Sequence, residues 1–210
     1  MSEAIKGRSR IALSPGALLA PLPAVLVTCA CPDGGGGVLR DVVTVAWTGM
    51  LCTRPPMTYI SLRPQRYSHG IISRSGEFVI NLPTADMTKK LDLCGMLTGA
   101  KADKFKRCGF ETISSAAVAA PTIADCPLSL ECRLRKPDGV DMNPLPLGSH
   151  DLFFAEIVSV TADSRLMSES GALRLDKAGL VGYLHGEYYA MGRYAGKFGF
   201  SVKKKQNTNL

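Results

Sequence analysis

Apolar and polar residues alternate most cleanly near the middle of the chain, where Leu128, Leu130, Cys132 and Leu134 are separated by Ser129, Glu131, Arg133 and Arg135. A period of two puts the first set on one face, so the pattern predicts a strand with one buried and one solvent face. Residues 24–28 are apolar apart from Thr28 and rich in β-branched side chains, which predicts a buried strand ending near Cys31. The Asp33 and glycine run 33–37 then turns the chain, and residues 38–47 read as the return strand of a hairpin. Further strands are predicted at 57–62, 77–82 and 152–160, with short late strands at 180–184 and 198–202. Between them lie brief helical segments. Ser68 is placed to cap a helix through Ile72, stopped by Gly76, and Asp86 opens a second that Gly95 closes. Asp103 to Cys108 gives another helical turn, ended by Gly109. Strands dominate without regular strand–helix alternation, so an antiparallel barrel is expected rather than a doubly wound sheet.

Composition narrows this picture. The chain has 210 residues, 46% hydrophobic and 20% charged, which suits one globular domain and disfavours disorder. No run is long and apolar enough to suggest a membrane span. Lys6, Arg8 and Arg10 before an apolar stretch resemble a signal peptide, but Pro15, Pro21 and Pro23 break any helix through it. The net charge of +7 favours anions such as phosphate-bearing cofactors or an acidic partner. The seven cysteines are odd in number and contain no C-x-x-C, arguing against a disulfide framework or structural zinc. Reduced thiols and a cytoplasmic location are the simpler expectation. Lys203, Lys204, Lys205 and the residues behind them read as a solvated tail.

The common catalytic signatures are missing: no G-x-G-x-x-G after a strand, no P-loop, no H-E-x-x-H and no G-x-S-x-G. His69, His150 and His185 are too scattered to imply a metal. Two stretches carry candidate chemistry. Residues 44–49 (TVAWTG) run from a strand into a loop beside the only tryptophan, where free amides and hydroxyls can meet the polar edge of a planar heterocycle. Taken alone, a single tryptophan such as Trp47 reads more readily as core. Residues 61–68 (SLRPQRYS) combine two arginines, two serines and a helix start, a suitable phosphate cradle or else a basic surface loop.

These stretches belong to a longer block, VVTVAWTGMLCTRPPMTYISLRPQRYSHGIISRSGEFVINLP, which resembles the flavin reductase-like, FMN-binding split-barrel proteins, and within them most resembles the flavoredoxins. The resemblance continues through DLCGMLTGAKADKF, APTIADCPLSLEC and GSHDLFFAEIVSV to HGEYYAMGRYAGKFGFSVKKK, covering residues 20–205 between an extension at 1–19 and a tail at 206–210. It implies a mainly β fold: a six-stranded antiparallel split β-barrel of Greek-key type with short helices, homodimeric, holding FMN without a covalent bond. It further implies that Ala46, Trp47 and Thr48 lie beside the flavin ring, that Arg63, Tyr67 and Ser68 hold the phosphate, and that Asn81 and Leu82 line the flavin. Gly95 comes from a shared segment with Lys104, which would set a cation near the phosphate or ring. His150 would sit at the ring face or edge as the catalytic residue, with Tyr183 covering it. Asp41 stands where flavoredoxins often carry Asn and would disfavour an anionic flavin. Gly148-Ser149-His150 lacks the acid of the G-D-H in many NAD(P)H-dependent relatives. The implied activity is electron transfer from NAD(P)H or a redox protein through FMN, the alternative being an electron carrier without its own NAD(P)H turnover. A haem-carrying or flavin-storing barrel has less support, because no C-x-x-C-H occurs. Neither a nucleic acid nor a membrane is expected as a partner.

Overall fold

The computed structural model describes residues 10–135 and 143–201. Its main sheet is built from β1 (Val25–Pro32), β2 (Val38–Val45), β3 (Thr48–Thr53), β4 (Pro56–Leu62), β5 (Glu77–Leu82), β6 (Leu128–Leu134) and β7 (Asp151–Ala162). The spatial order is β2-β1-β5-β6-β7-β4-β3, with every neighbouring pair antiparallel. The edge strands β2 and β3 stand at opposite ends of this order, yet only Ala46 and Trp47 join them. The sheet must therefore curl back on itself, closing where the link is and remaining split elsewhere. This is the expected split barrel, with a small difference in strand count. Seven strands lie on the path, and Leu145–Pro146 adds a short pairing to β7. The additional strand is β3, expected as loop: its TGMLCT sequence is mostly exposed and carries no alternation to reveal it.

Two layers of core explain the apolar run in β1. Val25, Val27, Cys29 and Cys31 face the barrel interior with Phe78, Phe153 and Ile60. Leu26, together with Ala24 and Val42, faces outward beneath Leu91 of helix α2 (Thr88–Met96) and Phe105 of helix α3 (Lys104–Cys108). Both faces are covered, so no polar alternation is tolerated. Helix α1 (Tyr67–Ser75) places Ile71 and Ile72 in the inner cluster.

Several local expectations change. The polar face of β6 is solvated only at its far end: Arg133 is exposed, but Ser129 and Glu131 are buried, and the Glu131 carboxylate accepts from the amides of Ala116 and Ala117 at 3.0 and 2.6 Å. A carboxylate holding backbone N–H groups can be buried, so the chain that covers this face is anchored by it. Ser68 does not cap α1, since the N-cap is Arg66, while Gly76 does end it at φ 70°. Gly95 does not stop α2, which runs on to Met96. A Cβ at Gly95 would lie 3.3 Å from Thr44 Cβ, so glycine there permits close packing of helix on strand. For α3 the expectation holds: Asp103 accepts from the Lys106 amide at 3.1 Å and Gly109 closes it at φ 61°.

The late chain forms a hairpin of β8 (Val181–Leu184) and β9 (Glu187–Ala190). Its two-residue turn puts His185 at φ 47° and Gly186 at φ 95°, the twist that antiparallel neighbours favour. The strand expected at 198–202 is instead a turn over 198–201, with Phe198 fully exposed. Val202, the lysines at 203–205, the tail at 206–210 and the first nine residues of the extension lie outside the described residues. Among the described residues, no helix is long and apolar enough to cross a membrane.

Candidate functional site

Two adjacent clefts share Arg63 and Arg66, which leave β4 in a tight turn closed by the Arg66 amide on the Arg63 carbonyl at 3.0 Å. The first cleft, about 570 Å³, is walled by Asp41 of β2, Tyr67 and Ser68 of α1, Gly99, Lys104 of α3 and Ser149. Opening amides of a helix have no intrahelical acceptor, so the start of α1 presents N–H donors beside two guanidinium groups. The second cleft, about 430 Å³, is walled by Ala46 and Trp47 of the β2–β3 link, Gly95 of α2, His150, and Tyr183 and Tyr188 of the late hairpin. One cleft is cationic and donor-rich; the other is aromatic.

A buried ion pair sits in the wall of the first cleft. Lys104 Nζ lies 3.0 Å from Asp41 Oδ1, both side chains being 2% exposed. Ser68 Oγ donates to Asp41 Oδ2 at 2.5 Å, and Lys104 Nζ also donates to the Cys94 carbonyl at 3.4 Å. These contacts offset the Asp41 charge, so the acid does not oppose an anion in the simple way its type suggests. They also occupy Lys104 and the Ser68 hydroxyl, leaving Arg63 and Arg66 as the cations facing the cleft. Arg66 is fixed by donating Nη1 to the Gly95 carbonyl at 2.6 Å, which ties the turn after β4 to α2. A Cβ at Gly99 would stand 2.5 Å from Asp41 Oδ1 and 2.6 Å from Tyr67 Cδ1, so this backbone passes where only glycine fits.

In the aromatic cleft, the His150 and Trp47 ring centroids are 4.5 Å apart with planes tilted by 35°. Burial, then the Arg63 and Arg66 charges, hold the His150 imidazole below its ordinary range, while Asp151 pulls the other way. At neutral pH the ring is neutral, and Nδ1 lies 3.0 Å from Ser149 Oγ. Asp151 is itself buried and paired elsewhere. Its carboxylate lies 2.8 Å from His69 Nε2, and His69 meets Phe153 edge-on at 5.0 Å. Tyr183 and Tyr188, register partners across β8 and β9, pack edge-on at 5.6 Å.

Of the residues singled out in the sequence, Asp41, Ala46, Trp47, Arg63, Tyr67, Ser68, Gly95, Lys104, His150 and Tyr183 all line this pair of clefts. Three do not. Thr48 is buried and donates its hydroxyl to the Tyr59 carbonyl at 2.5 Å. Asn81 is a hub of the sheet, accepting from the Ile123 amide and Ser129 Oγ and donating to Leu26, Thr28 and Val79. Leu82 lines a separate apolar cavity of about 270 Å³ with Pro21, Leu22 and Val181. Arg66, Gly99 and Tyr188 were not singled out as site residues. Arg66 was legible in the same basic turn and Tyr188 in the HGEYY run, but no local signal marks Gly99.

The chain is similar to a protein of Archaeoglobus fulgidus, 33% identical over 121 residues, covering 58% of this chain and 64% of that one. Two solved flavoredoxins share its fold. That of Desulfovibrio vulgaris (Miyazaki F) is 25% identical with a TM-score of 0.80, covering 93% of this chain and all of its own. That of Methanosarcina acetivorans gives the same identity and TM-score, covering 93% of this chain and 98% of that one. The flavin reductase like domain model matches residues 19–192, and the chain belongs to that family.

Proposed function

We propose that the protein binds FMN without a covalent bond and works as a flavin-dependent oxidoreductase, taking electrons from NAD(P)H or from a redox protein. The observation that carries this reading is the sharing of Arg63 and Arg66 by a donor-rich cleft and an aromatic cleft. A phosphomonoester joined to a flat, largely apolar ring system needs that combination. The residues present fit the group. Arg63, Arg66 and the first amides of α1 would hold the phosphate, while Trp47, His150, Tyr183 and Tyr188 would enclose the ring. Bound flavin supplies the redox chemistry that no side chain here can. Lys104 compensates the Asp41 carboxylate at 3.0 Å, so the phosphate cleft retains the two arginine charges against a phosphate dianion. Neutral His150 offers one ring nitrogen to a ring-edge polar atom, its orientation limited by Trp47 and Ser149. The late hairpin brings Tyr183, Gly186 and Tyr188 to the wall of the aromatic cleft.

The likeness to two flavoredoxins supports a second reading, an electron carrier without its own NAD(P)H turnover. Ser149, in place of the acid seen in many nicotinamide-using relatives, points the same way. A second copy of the chain is part of the proposal, because Met50, Leu51, Tyr194 and Phe200 leave large apolar surface exposed. Free thiols at all seven cysteines suit the cytoplasm. Neither nucleic acid nor membrane enters the reading.

The test is the visible spectrum of the purified or flavin-reconstituted protein, the flavin released on denaturation, and anaerobic addition of NADH or NADPH. A yellow protein that releases FMN and bleaches with either nucleotide supports the reductase. FMN without bleaching selects the carrier. Only FAD, haem or no chromophore removes both readings.

A further inference from the structure

Two thiols meet behind the cleft wall. Cys94, in the last turn of α2, and Cys108, the last residue of α3, place their sulfur atoms 3.7 Å apart, and both residues are buried. The chain between them contributes Gly95, Gly99 and Lys104 to the clefts. The Cys94 carbonyl accepts from Lys104, and the neighbouring Gly95 carbonyl accepts from Arg66. The cysteines therefore sit at the two ends of the segment that forms one side of the site.

We propose that Cys94 and Cys108 are a reversible oxidation site, closing to a disulfide that staples α2 to α3 along the cleft wall, with a peroxide as oxidant. A disulfide requires about 2.05 Å between the sulfurs, so an approach of under about 2 Å suffices. One partner is a helix of five residues, which can shift as a unit.

Cys108 is the more accessible of the two, at 7% against 0% for Cys94, and reacts first. Its thiolate attacks one peroxide oxygen; an S–O bond forms, the O–O bond breaks and hydroxide leaves. The Cys94 thiolate then attacks the Cys108 sulfur, forming S–S and releasing a second hydroxide. The two thiol protons convert both hydroxides to water, so two thiols give two electrons to one peroxide. Burial, then the neighbouring Cys108, pushes the Cys94 thiol up, with Asp41 of β2 adding to this and Lys104 of α3 opposing it. The bond consequently forms slowly at neutral pH and is kept for sustained oxidant.

The test uses the full chain, freed of reductant, treated with hydrogen peroxide, blocked with a maleimide and mapped as peptides. The expected result is a loss of about 2 Da and a single cross-linked peptide joining Cys94 to Cys108. The thermal midpoint should rise by roughly 5–10 °C and return on reduction. Cys126→Ser should keep the cross-link, and Cys108→Ser should lose it. A peptide map of the unmodified sequence in which Cys52 is oxidised but Cys94 and Cys108 stay unjoined, or join other partners, would overturn the proposal whether or not the variants fold.

Discussion

Asp41 and Asn81 are both polar residues inside apolar strands, and both are buried, at 2% and 0% exposure. In the sequence they look alike, and both read as residues around a flavin. Their surroundings divide them. Asn81 lies on the outer face of β5, between Ile80 and Leu82, and five hydrogen bonds from strands and covering chain use its amide on both sides. Asp41 lies on β2 in step with Val43 and Val45, and its partners are the charge of Lys104 and the hydroxyl of Ser68. The close pass of Gly99 brings the loop after α2 against it, beside an open cleft. A buried polar group must find partners. Whether those partners are sheet backbone or the side chains of a cleft separates scaffold from site.

Replacing the hub should have the largest effect. Asn81→Leu strands the Ile123 amide and the Ser129 hydroxyl, and should cost about 4 kcal/mol by denaturant unfolding. Whatever folded fraction remains should bind flavin with unchanged affinity. Weakened binding in that fraction would put Asn81 back into the site. Lys104→Met should cost about 3 kcal/mol, because Asp41 is left buried with only Ser68 for company. Here binding should fall as well, since the uncompensated carboxylate then faces an anion. Loss of stability with unchanged flavin affinity would make the ion pair mere scaffold.

The contrast also marks what could be read in the chain. The caps of α3 were legible because Asp103 and Gly109 act within a few residues of the helix they bound. The doubly buried β1 was legible because coverage on both faces erases polar alternation. Pairings set by strand order were not. Asp151 belongs to His69, 82 positions away, and nothing near either residue announces it. Gly95 carries the same letter whether it ends a helix or lets one pack against Thr44. Strand β3 escaped because an exposed edge strand has no buried face to impose a pattern. The arginine turn and the TVAWTG link were readable as chemistry, while their meeting across two clefts comes from the curl of the sheet.

Within the site, Arg63→Ala should weaken FMN binding by roughly 1.5–3 kcal/mol, with riboflavin nearly unaffected. Titration of the apoprotein with each ligand measures this. Equal weakening of both would mean that Arg63 shapes the aromatic cleft instead of meeting the phosphate, and the division between a donor-rich end and an aromatic end would fail.

The smallest expected effect tests whether the two arginines act as a charged unit on what lies beside them. Burial, Arg63 and Arg66 depress His150, and Asp151 opposes them. In the apoprotein, NMR titration of this imidazole should give a midpoint below the 6.5 of an unperturbed histidine. Arg63→Ala should raise that midpoint, and Asp151→Asn should lower it. The sign for stability follows. With the folded value below the unfolded one, the unfolded chain takes up the proton first as pH falls from neutral. The contribution of His150 is therefore present above the unfolded value and lost as pH drops through the folded one, and it is modest because the ring is only partly buried. Below the folded value the ring becomes a third cation beside Arg63 and Arg66, so an anionic reduced flavin would be favoured more there than at pH 7. His150→Ala should then lower the flavin potential chiefly in acid and little at neutrality. A wild-type midpoint at or above 6.5, or a potential difference independent of pH, would show that the arginine charges do not reach the aromatic cleft.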